Sequence, residues 1–284
     1  MSKKIIACID GSASSTAVSD AALWASQYIQ LPLTFLHVLD KGSDTTTPNL
    51  SGTIGLGSRE TLLEELTERD EKNSKQALQR GKDILQQAER RLIGHCRVPI
   101  ELRQRHGELI ETLEELDRDT GLLIVGREGN DIERHPGRHI GANIEAIIRE
   151  SHHHPVLVAL PNFVTPQKAM IAFDGSKTMQ QALTTLLATN VLQSLECHIV
   201  MVSNSGATPE FNAAVALLKE SGVTTVARIA QGDVDALLTQ HIESEGIDLL
   251  IMGAYGHSRI RQLLIGSTTT KLINSSAVSM LLLR

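Results

Sequence analysis

The chain has 284 residues, a formal net charge of −6 and 41% hydrophobic residues, enough for one large domain or two of ordinary size. Aromatic residues make up only 2% of it, so a core must be built from Ala, Val, Ile and Leu, which suits helices packed on a buried parallel sheet. The acidic balance and the shortage of aromatic rings argue against a nucleic-acid partner, which needs a basic surface and stacking platforms.

Short apolar runs that end at a turn residue alternate with helical patterns in both halves of the chain. The predicted strands of the first half are residues 5–9, 33–39, 122–126 and 155–160. Those of the second half are residues 169–173, 197–202, 249–253 and 277–283. This alternation predicts an α/β fold, with a parallel sheet that carries helices on both faces.

The two halves are an internal duplication. Asp10-Gly11-Ser12 and Asp174-Gly175-Ser176 each follow a first strand and lie 164 positions apart. A later glycine turn, at Gly107 and Gly232, has an offset of only 125 positions. Residues 161–167 contain two prolines and no periodicity, so we place the boundary there and expect domains at 1–163 and 164–284.

The smaller second offset means that the first half contains 39 additional residues between its two turns. They form a Gly/Ser/Thr-rich stretch at 42–58 and then a predicted long helix from about Arg59 to Leu92, with charges that alternate in sign. Such a helix is either a solvated surface element or a lid or partner-binding element, and the sequence leaves both open.

A possible phosphate-binding loop follows the strand at 249–253. That strand ends at Gly253, Gly256 follows after two residues, and Gly266 follows after nine more, directly before Ser267 and Thr268. Glycines let a ligand approach the backbone closely. The unpaired N–H groups at a helix start favour an anion.

This G-x2-G-x9-G-[S/T] pattern, with an Asp after the first strand of the same half, resembles the universal stress protein family, and two such units resemble its tandem members. The resemblance implies an adenine-nucleotide α-hydrolase-like fold: two tandem units, each an open five-stranded, mostly parallel sheet, paired across their last strands. It also implies that the aspartate binds ribose, the second strand reads adenine, and the glycine loop binds phosphates, often with a divalent ion.

Transferred to this chain, the resemblance assigns Asp174 to the ribose hydroxyls, for which a carboxylate supplies acceptors. A structural alternative is that Asp174 caps the following helix. The remaining residues assigned to the nucleotide are Ala172, Val202, Met252, Gly253, Gly256, Gly266, Ser267 and Thr268. Arg259 and Arg261 either neutralise phosphate charge or are solvated.

The first half departs from the pattern. Eleven residues separate Gly129 from Gly141, and Ala142 replaces the hydroxyl residue. The loop between these glycines contains carboxylates that would repel a triphosphate. We therefore expect weak or absent triphosphate binding in this half, where Asp10 would simply cap its helix.

Other motifs give no support for a catalytic or metal site. The sequence contains no G-x4-G-K-[S/T] loop and no strand-linked G-x-G-x-x-G. His152, His153 and His154 precede Pro155 in an expected loop, and we predict surface histidines rather than metal ligands. Cys8 and Cys197 fall in apolar runs and are expected to be buried, reduced thiols, which are typical of a cytoplasmic protein.

The sequence thus predicts a stress-response protein that binds ATP, with or without Mg²⁺, in its second unit and turns it over slowly or not at all. An adenine nucleotide and an unidentified protein are the expected partners, without nucleic acid and without a membrane span. The two units would form an intramolecular pseudo-dimer, and a further homodimer is left open. The alternatives are a nucleotide-independent scaffold for a lipid or protein, and a slow ATPase or autokinase.

Overall fold

The computed structural model describes residues 3–39, 58–129, 144–151, 153–254, 271–273 and 275–284, with residues 58–66 and 70 described for the backbone alone. Within this part of the chain, no helix combines the length and the apolar character that a membrane span requires.

The first unit contains five strands and four helices among the described residues. The strands are β1 (Lys4–Cys8), β2 (Leu33–Leu39), β3 (Ile100–His106), β4 (Thr120–Gly126) and β5 (Val156–Ala159). The helices are α1 (Ser14–Tyr28), α2 (Ser58–Leu92), α3 (Leu109–Leu116) and α4 (Ile144–Glu150).

The second unit repeats this order with a much shorter second helix. Its strands are β6 (Lys168–Ala172), β7 (Glu196–Val202), β8 (Thr224–Ala230), β9 (Leu249–Gly253) and β10 (Ser279–Leu283). Its helices are α5 (Lys177–Leu187), α6 (Pro209–Glu220) and α7 (Val234–Glu245), and residues 271–273 and 275 are also helical.

All ten strands form one sheet in the order β3-β2-β1-β4-β5-β10-β9-β6-β7-β8. Each half is parallel, and the two halves meet where β5 and β10 pair antiparallel, with Leu157 opposite Leu281. The predicted fold class, two five-stranded and mostly parallel units with helices on both faces, is confirmed.

The core lies in two layers, one on each face of the sheet. One layer buries α1, the C-terminal part of α2, α5 and α6, and the other buries α3, α4, α7 and residues 272–273. The central strands are buried on both faces, which explains why they are continuous apolar runs rather than alternating ones.

Helix α2 is the main difference between the units. Its C-terminal part packs on the sheet through Leu85, Ala88 and Leu92. Between Thr67 and Arg80, by contrast, none of the described side chains is buried. A helix that connects two parallel strands runs antiparallel to them, so α2 begins on the side of the carboxyl edge of the sheet. The 23 residues of α2 before Gly81 have a length of about 35 Å and extend from the packed part of the helix beyond that edge.

Candidate nucleotide site

The strand register of the second unit brings three strand ends together. Ala172 of β6 pairs with Val200 of β7 on one side and with Met252 of β9 on the other. Asp174 therefore follows β6 at the same edge where Gly253 ends β9. The chain order reverses direction at β6, and in open α/β sheets ligands bind at the carboxyl ends of strands at such a switch point.

The turn after β6 is built by its own side chains. Asp174 accepts a hydrogen bond from the N–H of Ser176 (2.9 Å) across Gly175, whose φ of +75° favours glycine. The cap of α5 is Ser176, whose Oγ accepts from the N–H of Met179 at 3.1 Å. The alternative that Asp174 caps this helix is therefore wrong, because the carboxylate holds the turn and remains exposed.

The other described residues assigned to the nucleotide lie beside this turn. Met252 is buried, while Ala172, Val202 and Gly253 are half-buried at the strand ends. A Cβ placed on Gly253 would meet no described atom within 4 Å. The described part of the site thus offers an apolar floor with one exposed carboxylate at its edge.

Four residues assigned to the phosphates, Gly256, Gly266, Ser267 and Thr268, lie outside the described residues, as do Arg259 and Arg261. Beyond the loop, Leu272 and Ile273 belong to a helical segment and are fully buried against the sheet. The phosphate-binding role of this loop remains a prediction.

The equivalent turn in the first unit is bonded differently. Asp10 accepts from the N–H of Ser12 (2.9 Å) and from the hydroxyl of Ser15 (3.3 Å). The N-cap of α1 is Ala13, which has no side-chain cap bond. The expectation that Asp10 caps this helix is therefore wrong, because its carboxylate closes the turn ahead of the cap position.

The first unit also fills the space around its turn. A Cβ on Gly126 would lie 2.6 Å from the Cβ of Ser14, and one on Gly129 would lie 3.2 Å from Oδ2 of Asp10. In addition, Cδ1 of Ile84 in α2 would be 2.7 Å from a Cβ on Gly11. The first-unit turn is therefore closely packed against the chain after β4 and against helix α2. Around Gly253, by contrast, no described atom would contact an added Cβ.

One prediction from the histidine triplet was wrong. His153 is exposed as expected, but His154 is only 4% exposed and its Nε2 lies 3.1 Å from Oδ1 of Asp117. Burial is the main cause that lowers the pKa of His154. Across the described residues, no three His, Cys, Asp or Glu side chains converge as a metal site would require.

Reasoning from the sequence also missed a buried histidine pair, His198 in β7 and His241 in α7, whose rings hydrogen-bond at 3.0 Å. The available signal was a histidine inside the apolar run at 197–202. Cys197 is buried as predicted and Cys8 is half-buried, and burial raises the pKa of each thiol to about 12, so both are protonated at neutral pH.

Comparisons with known proteins agree with this architecture. A profile of the universal stress protein family matches residues 1–159 and 192–284, so Asp174 is placed by the sheet register rather than by that match. A universal stress protein from Synechocystis sp. is 33% identical over 288 residues, which cover 99% of this chain and 100% of that protein.

Two solved structures share the fold along the whole chain. A universal stress protein from Archaeoglobus fulgidus has 17% identity and a TM-score of 0.67, and covers 100% of this chain and 99% of its own. A functionally unknown protein from Pseudomonas aeruginosa has 13% identity and a TM-score of 0.62, with 99% and 92% coverage. From the profile match and the full-length relative, the chain belongs to the universal stress protein family.

Proposed function

We propose that the second unit binds one adenine nucleotide, ATP with or without Mg²⁺, and that its turnover is slow or absent. The observation that carries this proposal is the meeting of Asp174 and Gly253 at the switch point of β6 and β9, directly before the G-x2-G-x9-G-[S/T] sequence. An exposed carboxylate beside an apolar floor suits a nucleoside, whose sugar offers hydroxyl donors and whose base has flat faces that pack on apolar side chains.

The first unit would leave its equivalent site empty of triphosphate. Its turn is already crowded by Ile84 and by the chain after Gly126, and its glycine loop lacks the spacing and the hydroxyl residue. Binding would then occur with one nucleotide per chain. The proposal keeps the predicted division of the chain into domains 1–163 and 164–284.

The test uses calorimetry and thermal shift with ATP and Mg²⁺ on protein stripped of ligand. A ligand at 100 times its Kd stabilises the folded state by about 2.7 kcal/mol. Asp174→Asn should weaken binding about 10- to 150-fold, because hydrogen bonds to a charged acceptor contribute about 1.5–3 kcal/mol. The matched control is Asp10→Asn, which should leave the affinity unchanged.

Two outcomes would contradict the proposal. One is an absence of response at millimolar ATP, and the other is an equal loss of affinity in both aspartate variants. Gly266→Val provides a second test, because its added methyl groups would occupy the proposed phosphate path. Normal affinity in a folded Gly266→Val protein would exclude that placement.

The exposed part of α2 supports a role for this helix in partner binding, and we propose that nucleotide binding is relayed to a protein partner through it. The same observation favours the second candidate, a scaffold that works without nucleotide and binds a lipid or protein. Mass spectrometry of the ligand released from purified protein separates the two, because the first predicts an adenine nucleotide and the second does not. Phosphate release above background, lost in Ser267→Ala, would instead indicate a slow ATPase.

A further inference from the structure

A chain of four side chains crosses the second unit from one solvent-exposed end to the other. Nη1 of Arg228 in β8 lies 3.0 Å from Nδ1 of His241, and Nε2 of His241 lies 3.0 Å from Nδ1 of His198. Nε2 of His198 then lies 2.9 Å from Oε1 of Glu196. The two imidazoles are 2% and 4% exposed, whereas the side chains of Glu196 and Arg228 are 38% and 53% exposed.

The two outer side chains of this hydrogen-bonded series, Arg228 and Glu196, determine where the histidine protons lie. Arg228 can only donate, so Nδ1 of His241 must accept. The ionised Glu196 can only accept, so Nε2 of His198 must donate. A neutral imidazole has one donor and one acceptor, and both rings therefore carry their proton on Nε2. In this arrangement every link has one donor and one acceptor, and both histidines are neutral.

One added proton breaks this pattern. Protonation of His241 puts a donor at Nδ1 against the guanidinium of Arg228, and protonation of His198 puts a donor at Nδ1 against Nε2–H of His241. Either event leaves two donors facing each other at a buried imidazole, which then carries a positive charge that burial disfavours.

The surroundings of His241 favour its neutral form on balance. Burial is the main cause that lowers the pKa of His241, followed by His198 and Arg228, while Glu245 of the same helix acts in the opposite direction. The hydrogen bond from His198 is the main cause that lowers the pKa of Glu196, with a further contribution from Lys168 of β6.

The first unit contains no such chain in the same place. Thr34 pairs with Ile6 as His198 pairs with Met170, and the 125-residue offset places Leu116 at the position of His241. There, Glu101 bonds Lys4 at 2.8 Å and Arg103 at 2.9 Å, and the hydrogen bond from Lys4 is the main cause that lowers its pKa to about 2. Glu101 therefore stays ionised between pH 5 and 8, and the two histidines distinguish the second unit.

We propose that Arg228, His241, His198 and Glu196 form a proton-sensitive switch that holds α7 and β8 against β7 at neutral pH and loosens them in acid. The site lies next to the proposed nucleotide floor, since His198, Val200 and Val202 alternate along one face of β7. A cavity of about 40 Å³ beside His241, lined also by Val200 and Ala230, leaves room for one water. Acid would therefore lower nucleotide affinity as well, and this consequence rests on the proposed function.

The direction in which pH changes the stability follows from the difference in proton binding between the folded and unfolded states. An unfolded histidine has a pKa of about 6.5, and the folded pKa of His241 is lower. Between these two values the unfolded state binds more protons, so stability falls as the pH drops below about 6.5 and is fully present above it.

The direct test is NMR of the imidazole nitrogens in the full chain. At pH 7.5 both histidines should show the neutral Nε2–H tautomer, and His241 should titrate below pH 6.5. A neutral Nδ1–H tautomer in either ring, or a His241 that is already protonated at pH 7, would overturn the proposal.

The second test compares melting temperatures at pH 7.5 and pH 5.5 for the parent chain and for His241→Gln, whose amide supplies one acceptor and one donor but does not titrate. His37 and His154 are present in both proteins, so their contributions cancel. We expect the acid-induced fall to be smaller in the variant by at least about 2 °C. If His241→Gln fails to fold, the double variant His198→Thr/His241→Leu, which carries the residues of the first unit, replaces it. An equal acid-induced fall in melting temperature in the parent and in the folded variant would refute the switch.

ATP titration at the same two pH values completes the experiment. A several-fold loss of affinity in acid that is smaller in the variant supports the effect on the nucleotide, and an equal loss in both proteins excludes it. An absence of ATP binding at every pH would contradict the proposed function alone, because the tautomers and the melting temperatures report on the switch without nucleotide.

Discussion

Gly126→Ala should destabilise the first unit, whereas the equivalent Gly253→Ala should not destabilise the second. The Cβ that Gly126→Ala introduces would lie 2.6 Å from the Cβ of Ser14, 3.2 Å from its Oγ and 3.3 Å from the carbonyl oxygen of Glu128. Carbon atoms in contact are normally about 3.5–4.0 Å apart, so the overlap is about 1 Å. Around Gly253 no described atom comes within 4 Å of that position.

The overlap cannot be relieved by a rotamer change. The closest atom is a Cβ, which moves only with the backbone of α1, and Ser14 is 1% exposed at the start of that helix. Helix α1 is itself fixed in the core by Ala17, Val18 and Ala21. Overpacking of this kind costs about 1–3 kcal/mol, which corresponds to a loss of about 2–12 °C in melting temperature for a chain of this size.

The assay is urea unfolding of nucleotide-free protein, with a double-mutant cycle. Ser14→Gly removes the atom that the new methyl group would contact, so the double variant should recover more than 0.5 kcal/mol relative to the sum of the single effects. Ser14→Ala keeps the Cβ and should give no such recovery. A Gly126→Ala protein within 0.5 kcal/mol of the parent, or equal losses at Gly126 and Gly253, would refute the reasoning.

Three further predictions concern stability. Glu101→Gln should lower the free energy of unfolding by only about 0.5–1 kcal/mol at pH 7, since the carboxyl is 43% exposed and screened. The folded pKa of Glu101, about 2, lies below the unfolded value of about 4.3. Urea unfolding at several pH values should therefore show the loss of stability above about pH 4.3 and its disappearance toward pH 2. Gly246→Ala should cost about 1 kcal/mol in the same assay, because Gly246 ends α7 at φ +65° and no described atom crowds it, and Gly246→Asn should cost less. Nη1 of Arg127 donates a hydrogen bond to the carbonyl of Ser276 at 2.6 Å, which joins the two units. Arg127→Met should therefore lower the free energy of unfolding by about 1–3 kcal/mol and speed hydrogen exchange at the β5–β10 pair. Unchanged exchange would contradict this prediction.

Most of the strands could be predicted because the signals are local and repeated, whereas their order in the sheet was established by the structure. Apolar runs of five to seven residues occur in both halves, and the first run of each half ends at an aspartate turn, with Asp10 and Asp174 lying 164 positions apart. Parallel strands joined by helices follow from that alternation. The long charged helix, expected from about Arg59 to Leu92, runs from Ser58 to Leu92.

The contacts that distinguish the two units could not be predicted in this way. Gly126 and Gly253 are the same residue at the same strand end, and among the described residues the packing of α1 against β4 makes Gly126 the crowded one. His154 was expected at the surface from its neighbours in sequence, but Asp117, which precedes β4, lies beside its ring. The bond between His198 and His241 joins residues 43 positions apart and depends on how α7 crosses β7.

The internal repeat has a consequence for how function can be assigned. The described residues of the proposed nucleotide site have counterparts in the same sheet of the same chain, and Asp10 and Asp174 share their position after a first strand and a bond to the N–H two residues later. A difference in ATP affinity between Asp10→Asn and Asp174→Asn could not then come from the fold or from the loss of a charge as such. It would have to come from the surroundings of the carboxylate: in the first unit Oδ2 of Asp10 is only 3.2 Å from where a Cβ on Gly129 would lie, while Asp174 is exposed at the end of β6. The surroundings of the carboxylate, rather than the aspartate itself, would therefore distinguish the unit that binds a nucleotide from the unit that does not.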